Sequence, residues 1–341
     1  MLQLSQTRIE ALPAAFGKAR VAVIGDLMLD RYTFGSVSRI SPEAPVPVLE
    51  IEDEQARLGG AANVGHNILG LGASPLMLGV VGDDTSGLLL KGIFTDRGFP
   101  LEGIVTDRNR PTTVKTRVIA GSQQMLRLDH EVKKEISKET ENRLLDILEE
   151  NIRSLDAVIL EDYNKGVLTR SMIHRTIEIA RKHSVPVLVD PKMHNFFEYQ
   201  NCTVFKPNRK EVEDALGTKL TSDAETNAAG LRLLESLKAD NVLLTLGEKG
   251  MMLFEHIKGD GAEPFTIPTR ARQVADVSGA GDTVIATLAI TMACGLSVRE
   301  AAVIANRAAG LVIEELGIVP IYRDQLIAAL LEDIEPTPNT L

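Results

Sequence analysis

The sequence predicts an α/β fold, a three-layer sandwich with a mostly parallel central sheet and a small β-sheet lid. Three observations carry this. Short apolar runs alternate with longer stretches of helical periodicity along most of the chain. Those runs end repeatedly in polar residues, as strands do where their C-terminal ends open onto a ligand-binding edge. Two segments, about 33–57 and 110–129, break the alternation with extended, turn-bounded sequence. The 341 residues, 44% hydrophobic, suffice for a large core, and 1–341 reads as one domain.

In chain order, residues 1–19 read as an amphipathic helix. Val21-Ala-Val-Ile-Gly25 is a buried strand that runs into a loop at Asp26. Residues 61–71 and 84–98 have helical periodicity, with a strand from Pro75 to Val81 between them. Ser137 and Thr140 stand where a helix reaching Arg153 needs caps. Strands at 156–160, 187–190, 203–205 and 241–245 then alternate with helices at 169–183 and 221–237, the pattern of a parallel sheet covered on both faces. Val284 to Ile290 reads as a buried helix. Pro45-Val-Pro-Val-Leu-Glu-Ile51 is extended, and its prolines place it at a sheet edge because they cannot donate to a central ladder. Residues 112–128 read as a hairpin turning at Gly121-Ser122. Together these stretches make the lid, which would cover a site or join two copies through exposed edges. Glu335-Pro-Thr-Pro-Asn-Thr-Leu341 reads as a frayed tail.

The net charge of −10 argues against a nucleic-acid surface. The only cysteines, Cys202 and Cys294, have no metal-type or redox-type spacing, which fits a reduced, cytoplasmic setting. No uninterrupted apolar run reaches membrane-spanning length, and the first residues lack a basic-then-apolar signal, so no membrane partner is expected.

The most informative segment is Asp276-Val-Ser-Gly-Ala-Gly-Asp282-Thr283, which runs straight into the buried helix. A Gly279-Ala280-Gly281 turn at a helix start presents free N–H groups and the positive end of the dipole, an anion site. Asp282 beside such a site is in conflict with it unless it takes a proton while the donors hold developing negative charge, as phosphoryl transfer to a hydroxyl requires. A plain glycine loop with an aspartate cap fits the same letters. Gly59-Gly60-Ala-Ala-Asn63 opens a helix and would let a small molecule approach backbone, or is only a tight turn. Asn208 and Glu211 lie at i, i+3 on one helix face, which suits hydrated Mg²⁺ as well as an ordinary capping box. Thr245-Leu-Gly247-Glu-Lys-Gly250 leaves a strand through two glycines, as a nucleotide-binding turn or a hairpin would. Lys165, Arg117 and Arg127 are candidates to hold a phosphate on a substrate. No Gly-x-x-x-x-Gly-Lys-Ser/Thr, His-Glu-x-x-His, Cys-x-x-Cys or Gly-x-Ser-x-Gly motif occurs, and the first strand is not followed by Gly-x-Gly-x-x-Gly.

These segments occur in one order: Gly25-Asp26 to Asp30, Gly59 to Asn63, Asn208 to Glu211, Thr245 to Gly250, Asp276 to Thr283. In that order, and over nearly the whole chain, the sequence resembles the ribokinase-like sugar kinases, also called the phosphofructokinase B family. Within it the chain is most similar to the branch acting on D-glycero-β-D-manno-heptose 7-phosphate in bacterial lipopolysaccharide synthesis. That likeness rests on Gly25-Asp-Leu-Met-Leu-Asp-Arg-Tyr32, Arg39-Ile-Ser-Pro-Glu-Ala-Pro-Val-Pro-Val48, Gln123-Gln-Met-Leu-Arg-Leu-Asp129 and Glu161-Asp-Tyr-Asn-Lys-Gly-Val-Leu168. The resemblance implies a ribokinase-like fold, ATP as co-substrate, Mg²⁺, an optional K⁺, and a homodimer through the lid. It implies Asp282 as general base at the anomeric hydroxyl, and Gly279, Ala280 and Gly281 as the anion hole. Asp30, Gly59, Gly60 and Asn63 would bind the sugar, and Arg117, Arg127 and Lys165 its phosphate. Lys192, Asn208, Glu211, Thr245, Gly247, Gly250 and Asn306 would line the nucleotide, with Asn208 and Glu211 reaching Mg²⁺ through water. In many members of this branch a nucleotidyltransferase with a His-x-Gly-His motif is fused to the kinase. The motif is absent here, so a free-standing kinase is expected. Another sugar kinase of the family, or a catalytically silent sugar or nucleotide sensor, remains open.

Overall fold

The computed structural model describes residues 4–256, 263–269, 275–315 and 317–334; the tail read as frayed lies outside them. Helix α1 (Gln6–Phe16) leads into β1 (Arg20–Gly25), after which the chain leaves along β2 (Leu27–Ile40) and returns along β3 (Pro47–Gly60) to α2 (Ala61–Gly70). Next come β4 (Ser74–Gly82), α3 (Thr85–Asp96), β5 (Ile104–Asp107) and the hairpin β6 (Thr113–Ala120) and β7 (Gln123–His130). Alternation resumes with α4 (Lys138–Asn151), β8 (Ala157–Glu161), α5 (Arg170–Lys182), β9 (Val187–Asp190), β10 (Val204–Phe205), α6 (Arg209–Leu216), α7 (Asp223–Leu237) and β11 (Asn241–Thr245). Strands β12 (Met251–Glu255) and β13 (Phe265–Ile267) and helices α8 (Ala280–Ala293), α9 (Val298–Val312) and α10 (Arg323–Glu332) complete it.

Among the described residues nine strands form the main sheet, in the order β13-β12-β11-β10-β9-β8-β1-β4-β5, parallel from β11 to β5 and antiparallel at β12 and β13. Side chains of β1 alternate between two core layers. Val21 and Val23 pack with Phe16, Ile68, Ile285 and Ile304 on one face. Ala22 and Ile24 pack with Leu144, Ile173 and Leu233 on the other. This is the three-layer α/β sandwich that the alternation predicts. Helix α8 is buried along its length from Asp282 to Thr291, as its run of apolar residues requires.

The second sheet has four strands in the order β3-β2-β6-β7. Of the prolines in the 45–51 stretch, Pro47 opens the edge strand β3 and Pro45 falls in the bend before it, and the hairpin turns between Ala120 and Gln123. One expectation changes. The sequence places Asp26 to Asp30 on a loop, yet β2 begins at Leu27, so the lid starts before residue 33 and Asp30 stands inside a strand. Leu27, Met28 and Leu29 are all buried and pair with Gly60, Gly59 and Leu58, which makes a strand cheaper than a loop.

The chain moves from β1 to β4 on one side and later to β8 on the other. That reversal opens a crevice at the C-terminal ends of β1 and β8, where α/β sheets bind ligands. Gly25 and Glu161 pair there, and the lid hangs from the same edge through Asp26.

Candidate active site at the start of helix α8

Gly279 caps α8 with φ 81°, a left-handed conformation open to glycine at little cost. A Cβ at Gly279 would stand 3.1 Å from Asn63 Nδ2, so the turn also lies close against α2. The N–H of Ala280 points back to Val277 O at 3.3 Å, while the helix start directs its remaining donors and its dipole outward. A Cβ at Gly281 would lie 3.5 Å from both Asp190 Oδ2 and Lys206 Nζ, which places the turn over the ends of β9 and β10.

Asp282, on the first turn, is 5% exposed. Its Oδ2 accepts from Asn63 Nδ2 at 2.7 Å and its Oδ1 from the Tyr163 hydroxyl at 2.8 Å. Burial pushes its carboxyl up to about 6, the two donors pull it back, and the charge of Asp190 adds to the rise. At neutral pH it is therefore an ionised but unusually basic carboxylate, fixed in orientation. Burial and the neighbouring Asp282 carboxylate hold the Tyr163 phenol far above its ordinary value, so it stays a donor.

Carboxylate oxygens of Glu161, Asp190 and Asp282 lie within 4.8 Å of one another. Lys206, itself buried, pairs with Asp190 at 2.7 Å. Burial works against its charge, but Asp190 outweighs that and raises its pKa. Glu161 is pushed well above the usual carboxylate range by burial and then by Asp190 and Asp282. Its Oε2 is buried with no hydrogen-bond partner. An orphaned carboxylate oxygen beside two further acids is a donor set that fits a hard divalent cation.

On the lid side, Asp30 is buried and paired with Arg117. Gly59 packs directly on it, since a Cβ there would fall 2.1 Å from Asp30 Oδ2. Gly60, at φ 56°, turns the chain into α2 and brings Asn63 to Asp282. Lys165 donates to Glu131 at 2.7 Å. Arg127 is half exposed on β7 and bridges to Asp129 at 2.8 Å and 2.9 Å. The structure thus brings Asp30, Gly59, Gly60 and Asn63 together with Asp282. It gives Lys165, Arg117 and Arg127 carboxylate partners of their own.

On the other side, Asn208 and Glu211 form the reciprocal capping box of α6, at 2.9 Å and 2.8 Å. Lys192 takes the second oxygen of Glu211, and its Nζ lies 5.6 Å from the Tyr163 ring centre. Both Glu211 oxygens are thereby engaged. Thr245 lies level with Asn208 at the end of β11. Gly247 (φ 63°) and Gly250 (φ 83°) make the hairpin turn from β11 to β12. Asn306, buried on α9, donates to Pro268 O at 2.8 Å.

Several residues of this centre are given no role in the site by the sequence. Tyr163, Lys206, Glu161 and Asp190 sit at the ends of β8, β9 and β10. The polar strand ends are the signal that finds the two acids, but nothing in the letters marks the tyrosine. Asp26 is a brace. Buried at the end of β1, it accepts from the N–H groups of Tyr163, Lys165 and Val167 at 3.0, 2.9 and 3.1 Å.

Comparison with known proteins gives the family and the fold. The family model described as pfkB family carbohydrate kinase matches residues 18–322. The bifunctional protein HldE of Desulfatibacillum aliphaticivorans is 44% identical over 315 residues, 92% of this chain and 64% of that protein. HldE of Caulobacter vibrioides is 45% identical over 308 residues, 90% of this chain and 62% of that one. The chain therefore spans a little under two thirds of the length of these curated relatives. Among solved structures, Arabidopsis thaliana ribokinase complexed with ribose and ATP superposes with a TM-score of 0.71 at 22% identity, over 92% of this chain and 98% of that one. Escherichia coli phosphofructokinase-2 in complex with fructose-6-phosphate gives 0.73 at 18%, over 92% and 98%. These two show the shared ribokinase-like fold.

Proposed function

Because the chain belongs to the pfkB family of carbohydrate kinases, we propose that it transfers the γ-phosphoryl group of ATP to the anomeric O1 of D-glycero-β-D-manno-heptose 7-phosphate. The product would be the 1,7-bisphosphate, an intermediate toward ADP-heptose and the lipopolysaccharide core. The observation that carries the chemistry is Asp282, held by Asn63 and Tyr163 on the first turn of α8 beside the Gly279–Gly281 donors. The substrate is supported by the sugar-side segments Gly25 to Tyr32, Arg39 to Val48, Gln123 to Asp129 and Glu161 to Leu168, which resemble that branch.

In this reading the sugar enters between the lid and α8, and Asp30 and Asn63 bind its hydroxyls. Asp282 takes the proton of O1 as O1 attacks the γ-phosphorus. The O1–P bond forms, the bond to the ADP oxygen breaks, and the N–H groups of Gly279 and Gly281 face the charge on the transferring group; Ala280, expected from sequence to join them, has its N–H turned to Val277 O instead. A base of this kind contributes roughly 10²–10⁴ in rate, and one well-placed anion-hole donor on the order of 10²–10³. Lys192, Asn208, Glu211, Thr245, Gly247, Gly250 and Asn306 line the nucleotide side. Glu161 and Asp190, with Asn208 and Glu211 through water, would hold Mg²⁺, which when bound neutralises phosphate charge. The whole of 1–341 acts as one kinase unit, cytoplasmic and dimeric through the lid; no described helix is long and apolar enough to cross a membrane.

The test is ADP release with the heptose 7-phosphate, fructose 6-phosphate and ribose side by side, in wild type and Asp282→Asn. Expected is a preference for the heptose phosphate and at least about a hundredfold loss of kcat in the variant with the KM for ATP near normal. Activity on another sugar alone would discard the substrate. Near-normal turnover of Asp282→Asn would remove the base, and ATP binding without turnover of any sugar would favour a sensor.

A further inference from the structure

We infer that Lys115 is the side chain that recognises the anionic group carried by the acceptor sugar, an assignment that rests on the sugar-phosphate kinase reading above. The lid sheet stacks its charged side chains in rows. Arg57, Asp30, Lys115 and Asp129 stand opposite one another across β3, β2, β6 and β7, and Tyr32, Arg117 and Arg127 form the next row on the same face. This face is turned toward the reacting centre, because Lys115 Nζ lies 5.6 Å from the ring centre of Tyr163, whose hydroxyl touches Asp282.

The basic residues around this space differ in what they already hold. Arg117 is held by Asp30, Arg127 by Asp129 and Lys165 by Glu131. Arg57 donates to Gln55 and to Ile318 O. On the nucleotide side Lys192 pairs with Glu211 and Lys206 with Asp190. Among the described residues, Lys115 alone of this group has neither a hydrogen bond nor an ion pair. Its side chain is half-buried, so water serves its charge poorly. Burial accordingly loosens its proton, with Lys165 adding to that and Asp30, Glu131 and Asp129 opposing it. A phosphate or other anion on the sugar would satisfy the ammonium between the lid and Tyr163, while the reacting hydroxyl lies at Asp282.

The experiment measures KM for ATP and for two acceptor pairs, heptose 7-phosphate with heptose and fructose 6-phosphate with fructose, in wild type, Lys115→Met, Lys115→Gln and Lys115→Arg. Loss of one charge-assisted contact is expected to raise KM for the phosphorylated acceptor about 10–100-fold in the Met and Gln variants. KM for ATP and for the unphosphorylated sugar should stay within about threefold, and Lys115→Arg should recover part of the loss. Equal penalties on both members of a pair, or a penalty on ATP instead, overturn the assignment. Two failures are separable. A wild type that prefers the phosphorylated acceptor while both neutral variants match it removes Lys115 alone. A wild type with no such preference in either pair removes the substrate class and this assignment together.

Discussion

Asp282 owes its state to a contest. Burial pushes its carboxyl up to about 6 and Asp190 adds to the rise, while Asn63, Tyr163 and Lys206 pull it down. A base that must be ionised loses activity as pH falls through its pKa, so the acid limb of kcat/KM is expected near pH 6. The Tyr163 hydroxyl stabilises only the ionised form, so Tyr163→Phe moves that limb to higher pH. One net hydrogen bond of about 0.5–1.5 kcal/mol, at about 1.4 kcal/mol per pH unit, limits the move to about one unit. The variant is therefore expected to lose several-fold in rate near pH 6.5 and little above pH 8. A pH–rate profile checks this; a limb that stays in place would mean another group is titrating. At this scale the sequence is legible where chemistry and backbone coincide. Asp282 stands after Gly-Ala-Gly at the head of an apolar run, a juxtaposition that few structural roles need. Tyr163 carries no such mark, since a loop tyrosine reads the same whether it packs or donates, and only the meeting of β8 with α8 gives it Asp282.

The element that sets the site is the end of β1. Asp26 gathers three backbone N–H groups of the Tyr163–Val167 loop, and that loop supplies both Tyr163 and Lys165. Burial raises the Asp26 carboxyl, and the backbone donors work to keep it charged. Asp26→Ala would leave buried donors without acceptors, at about 1–3 kcal/mol each. We expect a loss of at least about 3 kcal/mol, read from urea unfolding; a loss under about 1 kcal/mol would mean that water replaces the carboxylate. Legibility of elements follows their length and patterning. The helices and parallel strands from β8 to β11 are visible because each buried run is bounded by caps or turns, as at Ser137 and Thr169, which accept from Thr140 and Met172. Strands β5, of four residues, and β13, of three, are too short to show a period. Helix α9 is different, because its Ser297–Glu300 capping box and the alanines along its buried face are signals that the sequence does carry. The start of β2 is misread as a loop because Gly25-Asp26 looks like a strand end, and it is one, with the next strand beginning at once.

At the scale of the whole molecule, the lid presents two unlike faces. Arg127 and Asp129 share the inner face with Lys115 and Asp30, so Leu126 and Leu128 between them point outward. Leu126 is 52% and Leu128 53% exposed, and Met125, Ile40 and Ile51 on the same sheet are also exposed. Apolar side chains gathered on a thin sheet with open edges mark a surface made to be covered. A second copy of the chain is the simplest cover, because the same patch on both subunits closes under two-fold symmetry. If so, the double variant Leu126→Lys, Leu128→Lys places charges in the middle of the contact and gives a monomer in sedimentation velocity where the wild type sediments as a dimer of the 37.0 kDa chain. The lid also carries Asp30 and Arg117 over the site, so a monomer with an unsupported lid should show a raised KM for the sugar with the KM for ATP little changed. A wild type that is already monomeric, or a charged variant that remains dimeric, would move the contact away from this face and leave the lid as a cover for the sugar alone.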